Sequence, residues 1–302
     1  MLTNIAYTPE TTISANGLNL VYDAFGDPGR DPILLIAGLG SPLISWDEPF
    51  CQALAARGYW VIRYDQRDIG HATWFDEAGL PDLTPAIQAW LQGQPVSVTA
   101  AYTLHDMADD AAGLLDALGI PTAHIMGVSM GGMIAQIFTL RHPQRVRTLT
   151  ILSSSTGDPA LPLPQMEAIN ALLTPPPPGR DAYIDQDTAT RHLLLGPIWP
   201  FDEAYARERA AENYDRGLHP AGTARHLTAI AAALGWKANL HTIKAPTLVI
   251  HGDADPLLNI ACGRDIAATI PHARLHILPG VGHMLPQPVW PETIDQIAAH
   301  AI

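Results

Sequence analysis

Short β-branched runs alternate with amphipathic helical segments along most of this chain. That alternation narrows the fold to a mostly parallel sheet with helices on both faces. The run PILLIAG (Pro32 to Gly38) is apolar throughout, as a strand covered on both faces must be. YWVIRYD (Tyr59 to Asp65), AHIMG (Ala123 to Gly127), VRTLTIL (Val146 to Leu152), TLVIHG (Thr247 to Gly252) and ARLHILPG (Ala273 to Gly280) read as its neighbours. LNLVYDAFG (Leu18 to Gly26) alternates instead and runs into Gly-Asp-Pro-Gly, which predicts an antiparallel edge strand ahead of a turn. Between the strands, apolar spacing predicts helices over Trp46 to Arg57, Thr103 to Leu118, Met130 to Arg141 and Pro291 to Ile302.

The alternation breaks once, over residues 153–237, where TPPPPG, GPIWP and several amphipathic segments occur without a strand-like run. An interruption at a strand end of an open sheet lies where ligands bind. Residues 153–237 are therefore expected to form a helical cap over a site carried by a core of residues 1–152 and 238–302. The alternative is a second domain unrelated to any chemistry. A long connection, residues 71–102, is a candidate second flap, since loops of that length in compact domains are usually functional. Trp74 and Phe75 in it, and Trp199 in the cap, are candidate substrate contacts, with Trp90 as further flap surface. The competing reading of each is ordinary packing of cap against core.

With 302 residues, 47% hydrophobic and 16% charged, the chain has ample material for a large core. Its 17 basic residues against 30 acidic ones give a net charge of -13, which disfavours nucleic acid as a partner. The two cysteines, Cys51 and Cys262, are far apart and lack metal-ligand spacing, so they read as reduced, packed thiols. The start of the chain has neither the basic nor the apolar segment of a secretory signal, and no apolar run approaches the ~18 residues of a membrane span. The expectation is a cytoplasmic monomer or homodimer without membrane partners.

Gly127-Val128-Ser129-Met130-Gly131 matches G-x-S-x-G, with a strand running into it and a helix leaving it. A strand-to-helix turn that tight strains the serine backbone and leaves no room for side chains two residues to either side. Ser129 would then sit at a helix N-terminus, where unpaired N–H groups favour developing negative charge. It is the candidate nucleophile.

A serine hydroxyl needs a base, and the base needs a third group to fix its tautomer. Among 13 histidines, His283 stands out: it follows the last strand-like run in a glycine-bracketed loop, GVGHM, expected to be exposed at the same sheet edge as Ser129. The acid should follow TLVIHG, where GDADP offers Asp253 and Asp255. Asp255 is preferred because it lies deeper in the loop, with its backbone restrained by Pro256, and Asp253 is expected to shape the loop. Asp158, beyond the preceding strand, is a further alternative. Two backbone N–H donors should receive the charge that forms on a substrate carbonyl: Met130, after the nucleophile, and Leu39, in the AGLGS loop whose glycines let substrate come close. No dinucleotide or metal-binding motif is present, so neither cofactor nor metal is expected.

Taken together, LLIAGLGSPLISW, VIRYDQRDIGHAT, HIMGVSMGGMIAQ, VIHGDADP and PGVGHMLP resemble the α/β-hydrolase superfamily, and within it the aclacinomycin methylesterase group and related macrolide esterases. The D-x-R-D-x-G segment in YDQRDIG is the most telling of these, while Ala37-Gly38 replaces the common His-Gly of the oxyanion loop. The resemblance implies the α/β-hydrolase fold, with an eight-stranded, mostly parallel sheet. It also implies carboxylic-ester or lactone hydrolysis of a bulky small molecule. In DQRDIG, Arg67 and Asp68 are expected to support the oxyanion loop rather than touch substrate. A serine nucleophile argues against epoxide hydrolysis and dehalogenation, which use a carboxylate in this fold. Carbon–carbon bond hydrolysis, amide cleavage and perhydrolysis remain as other activities of one triad, and a non-catalytic receptor as the competing class.

Overall fold

The computed structural model describes residues 5–92 and 98–301, with the side chains of 90 and 91 also outside the described residues. The flap expectation for Trp90 falls there. The strands are β1 (Tyr7–Ala15), β2 (Leu18–Phe25), β3 (Asp31–Ile36), β4 (Tyr59–Asp65), β5 (Ala123–Val128), β6 (Val146–Leu152), β7 (Thr247–Gly252) and β8 (Arg274–Leu278). They form one sheet in the order β1-β2-β4-β3-β5-β6-β7-β8. The β1–β2 and β2–β4 pairs are antiparallel, and every later pairing is parallel.

Leu18–Phe25 is therefore not the edge strand that its alternation suggested. It lies between β4 and β1, and β1 is the edge. Sequence reading passes over β1 because it is mostly exposed, polar and interrupted at Pro9, with its register shifting between Thr8 and Thr11. A proline cannot donate to a ladder, so an edge strand with an irregularity is where it is tolerated.

The helices are α1 (Glu48–Ala55), α2 (Thr84–Leu91), α3 (Leu104–Ala117), α4 (Met130–Arg141), α5 (Met166–Leu173), α6 (Arg180–Leu195), α7 (Glu203–Asp215), α8 (Pro220–Ala232), α9 (Ile260–Thr269) and α10 (Trp290–His300). Successive strand side chains point to opposite faces, and the two faces bury separate layers. Leu34 and Ile36 of β3 pack with α3 and α4, whereas Ile33 and Leu35 pack with α1 and α10. Helix α3 begins in a capping box in which Thr103 and Asp106 satisfy each other's backbone N–H. Helix α4 is buried from Met130 to Thr139 and mostly apolar there, as a helix inside the fold must be. Both cysteines are buried and free, and burial pushes the Cys51 thiol up to about 12 and that of Cys262 up to about 11.

Between β6 and β7 the chain forms α5 to α8 and a short 3-10 segment, Trp236–Thr242, with no strand among the described residues there. Helix α8 is tied to the core by a buried ion pair. Arg225 Nε and Nη2 each donate to Asp68 at 2.7 Å, and Asp68 also accepts from the Tyr102 hydroxyl at 2.6 Å and the Phe75 N–H at 2.7 Å. Burial alone would raise the Asp68 carboxyl, but those donors together hold it below the ordinary carboxylate range. Separating such partners leaves an uncompensated buried charge, at a cost of about 3–5 kcal/mol, so α8 sits firmly on the sheet side of the insertion.

Candidate active site

The turn between β5 and α4 holds Ser129 at φ 55, ψ -122, a conformation that costs an L-residue energy and persists only where the surroundings enforce it. Here they do. A Cβ on Gly127 would come within 2.1 Å of the Gly131 carbonyl oxygen, and one on Gly131 within 2.1 Å of the Ile36 carbonyl oxygen. The backbone of α4 thus lies directly against the ends of β3 and β5, and no larger residue fits at either glycine. Ser129 N–H donates to the Leu152 carbonyl at 2.9 Å, and the Ser154 hydroxyl donates to the Ser129 carbonyl at 2.7 Å. The turn is pinned to β6 from both sides.

Asp255 and His283 meet at the adjoining strand ends, after β7 and β8. His283 Nδ1 lies 2.8 Å from Asp255 Oδ2. The other carboxylate oxygen, Oδ1, accepts the N–H groups of Leu257 and Leu258, both at 2.8 Å. A carboxylate can only accept, so Nδ1 of His283 carries the proton and Nε2 of the neutral ring is left as an acceptor. Burial would raise the Asp255 carboxyl, yet the electrostatic pull and hydrogen bond of the adjacent His283, with the Leu258 N–H, bring it below the ordinary value. Asp253 lies elsewhere: its Oδ1 accepts the Gly280 N–H at 2.6 Å, holding the start of the histidine loop. Asp158 pairs with Lys237 at 2.6 Å and does not contact His283. His251 Nε2 donates to the Leu258 carbonyl at 2.7 Å.

The histidine loop is less exposed than its glycines suggested. The His283 side chain is only 10% exposed, because the C-terminal end of α6 covers the loop. Gly282 N–H donates to the Leu195 carbonyl at 2.8 Å and Met284 N–H to the Leu194 carbonyl at 3.0 Å.

Ser129 and His283 open into one cavity of about 1730 Å³, which Gly38, Leu39 and Met130 also line. Most ligand pockets hold roughly 300–1,000 Å³, so this one is unusually roomy. Met130 is the first residue of α4, where an N–H has no partner inside the helix. The loop after β3 turns tightly, with Ser41 N–H donating to the Gly38 carbonyl at 3.3 Å, and among the described residues the Leu39 N–H has no hydrogen-bond partner. A Cβ built on Gly38 would stand 3.4 Å from the Ser129 Cβ, so this loop passes directly beside the serine. No group of three or more His, Cys, Asp or Glu among the described residues is placed to hold a metal.

The aromatic residues expected to touch substrate are spent on packing. Trp74 stacks on His219 with ring centroids 4.0 Å apart and donates Nε1–H to the Gly70 carbonyl at 3.0 Å. Phe75 sits edge-on to Tyr102 and under the Arg67 guanidinium. Trp199 donates to the Pro279 carbonyl at 3.3 Å and packs against the layer that includes α1 and α10. None of the three lines the cavity. Other aromatics do so, Trp46, Phe50, Tyr183 and Trp290, together with aliphatic residues such as Leu83 and Ile87 from around α2 and Ile169 and Leu172 from α5.

The expected role of Arg67 and Asp68 is also redistributed. Arg67 pairs with Asp110 of α3 through two hydrogen bonds of 2.6 and 2.7 Å, and Asp68 holds Arg225. Their neighbours grip the loop after β3 directly. Gln66 Nε2 donates to the Ala37 carbonyl at 2.9 Å, and Asp65 accepts the Leu43 N–H at 2.7 Å.

The profile of the family described as alpha/beta hydrolase fold matches residues 31–286. The chain is 30% identical to rhodomycin D methylesterase DauP of Streptomyces sp. (strain C5), over 97% of this chain and 98% of that one. It is 28% identical to rhodomycin D methylesterase DnrP of Streptomyces peucetius over the same shares, 97% and 98%. Among solved structures, the meta-cleavage product hydrolase CumD of Pseudomonas fluorescens IP01 superposes with a TM-score of 0.75 over 96% of each chain at 20% identity, a likeness of fold.

Proposed function

This chain belongs to the α/β-hydrolase family, and from that premise we propose that it is a serine-dependent carboxylic-ester hydrolase acting on a bulky ester through Ser129, His283 and Asp255. The observation that carries the reading is the strained Ser129, at φ 55, facing the same cavity as a His283 whose Nδ1 is held 2.8 Å from a buried carboxylate. His283 Nε2 takes the Ser129 proton as Oγ attacks the ester carbonyl. Leu39 and Met130 N–H receive the oxyanion, and having no hydrogen-bond partner among the described residues suits them to it. The alkoxide leaves with the proton from His283, and a water activated by the same Nε2 then releases the acid. Asp255 keeps the tautomer and offsets the charge of the imidazolium. Asp253, which bonds to the Gly280 N–H, supports the loop without taking part.

The cavity volume of about 1730 Å³ and its mainly apolar walls favour a large, largely apolar substrate. The methylesterase relatives add a methyl ester as the first class to test, with macrolactones next. Residues 153–237 serve as the cap over this cavity, and the stretch around α2 as a second wall. The test is incubation with anthracycline methyl esters, macrolides and nitrophenyl esters, wild type beside Ser129→Ala, with products read by mass spectrometry. Conversion of a methyl ester to its acid by the wild type alone is the expected result. A macrolide gaining the mass of one water would shift the reading to lactone opening. Turnover confined to nitrophenyl esters would remove the bulky-substrate part of it, and equal turnover by Ser129→Ala would remove the whole.

A further inference from the structure

His226, in the middle of α8, is completely buried and has a partner at each ring nitrogen. Its Nε2 lies 2.9 Å from the Arg67 carbonyl oxygen, and its Nδ1 lies 3.4 Å from the Gly40 backbone nitrogen. A carbonyl can only accept and a backbone N–H can only donate, so a single neutral tautomer, protonated at Nε2, satisfies both contacts. Burial pushes the ring down to about 4, which keeps it uncharged at neutral pH. The same helix also touches the loop through Thr223. A Cβ on Gly40, whose φ is +63, would come within 2.6 Å of the Thr223 hydroxyl oxygen.

These contacts converge on the loop that carries the Leu39 N–H. At one end Gln66 holds the Ala37 carbonyl, and at the other His226 holds the Gly40 N–H. The turn between them is closed by Ser41 N–H to the Gly38 carbonyl at 3.3 Å. With the Gly40 N–H turned toward α8 and the Ser41 N–H turned inward, Leu39 is left to present its N–H toward the cavity. The Arg67 carbonyl that anchors His226 is itself immobilised, since the Arg67 side chain is clamped to Asp110.

We propose that His226 is a positioning residue for the oxyanion donor: it fixes the Gly38–Ser41 turn so that the Leu39 N–H meets the developing negative charge. The inference rests on the ester-hydrolase reading of Ser129 given above. It also gives α8, a part of the inserted helical segment, a share in the catalytic geometry besides its place in the cavity wall, where Leu227, Ile230 and Ala231 stand. His226 touches no substrate and transfers no proton.

The test is steady-state kinetics on a small nitrophenyl ester with His226→Phe and His226→Gln, alongside inhibition by a trifluoromethyl ketone and by its matching alcohol. The Phe variant fills the space without either hydrogen bond. Its kcat should fall about ten- to a hundredfold with KM within about threefold, because a misplaced donor costs the transition state rather than the ground state. Its affinity for the ketone, which binds as an oxyanion, should fall in step with kcat/KM while its affinity for the alcohol stays unchanged. The Gln amide can donate to Arg67 and accept from Gly40, and should return kcat to within about threefold of wild type. Should the Phe variant not fold, His226→Met, whose flexible chain adapts to core space, is read in its place. Wild-type kcat in a folded apolar variant, or parallel losses of ketone and alcohol binding, would overturn the proposal. So would a Gln variant as damaged as the Phe variant. Failure of the wild type itself to turn over the ester would instead count against the reading of Ser129.

Discussion

Replacing His283 by alanine should lower kcat for any ester the enzyme turns over by about 10⁴-fold or more, with little change in the fold. His283 is read as the base because it shares the cavity with Ser129 and its Nδ1 is held by Asp255, which leaves Nε2 as an acceptor, whereas His251 donates to a backbone carbonyl. The loop around it does not depend on the ring. Its backbone is held by the Gly282 and Met284 N–H bonds to the end of α6, which the substitution leaves in place. Asp255 keeps the Leu257 and Leu258 N–H donors and so remains hydrogen-bonded without its partner. Nitrophenyl ester kinetics beside a thermal melt would check both halves. Wild-type turnover in a folded His283→Ala protein would show that the base lies elsewhere.

Asp255→Asn should cost a comparable factor, about 10⁴-fold in kcat, whereas Asp253→Asn should stay within about threefold of wild type. An amide N–H facing His283 Nδ1 would favour the opposite tautomer, with the proton on Nε2 where Ser129 needs an acceptor. An asparagine at 253 loses much less, because its own Oδ1 can still accept the Gly280 N–H that the aspartate accepts at 2.6 Å. The pH dependence follows the same assignment. Because its carboxyl lies below the ordinary value, the ionised form of Asp255 is favoured by the fold. That contribution is full above the usual aspartate pKa of about 3.9 and is lost only as pH falls through the lower folded value. Protonation of Asp255 therefore does not begin to limit activity until the solution is more acidic than the ordinary carboxylate range. Side-by-side kinetics of the two variants decide the matter, and the reverse ranking would exchange the roles of the two aspartates.

The order of strands and helices was legible because each buried strand writes an apolar run and each helix a periodic one. The tight turn at Ser129 was legible because it demands glycine at fixed offsets. Strand β1 was not, since an exposed edge with Pro9 in it leaves no apolar run. His226 escaped for a different reason. It sits in an ordinary helical segment, and its two partners, Gly40 and Arg67, are 186 and 159 residues away in the chain. Nothing local distinguishes it from the other histidines. Trp74, Phe75 and Trp199 make the converse point: sequence leaves substrate contact and ordinary packing both open for them, because the partners that occupy them, His219, Tyr102 and the Pro279 carbonyl, come from distant segments. In the YDQRDIG stretch the hold on the loop after β3 comes from Asp65 and Gln66 rather than from the side chains of Arg67 and Asp68.

The whole mechanism turns on Ser129 being an activated nucleophile, and the intact mass of the protein after exposure to a fluorophosphonate is its sharpest test. A single adduct is expected on the wild type, mapped by peptide digestion to Ser129, and none on Ser129→Ala. A wild type that stays unlabelled, or an adduct that persists when Ser129 is alanine, would contradict it.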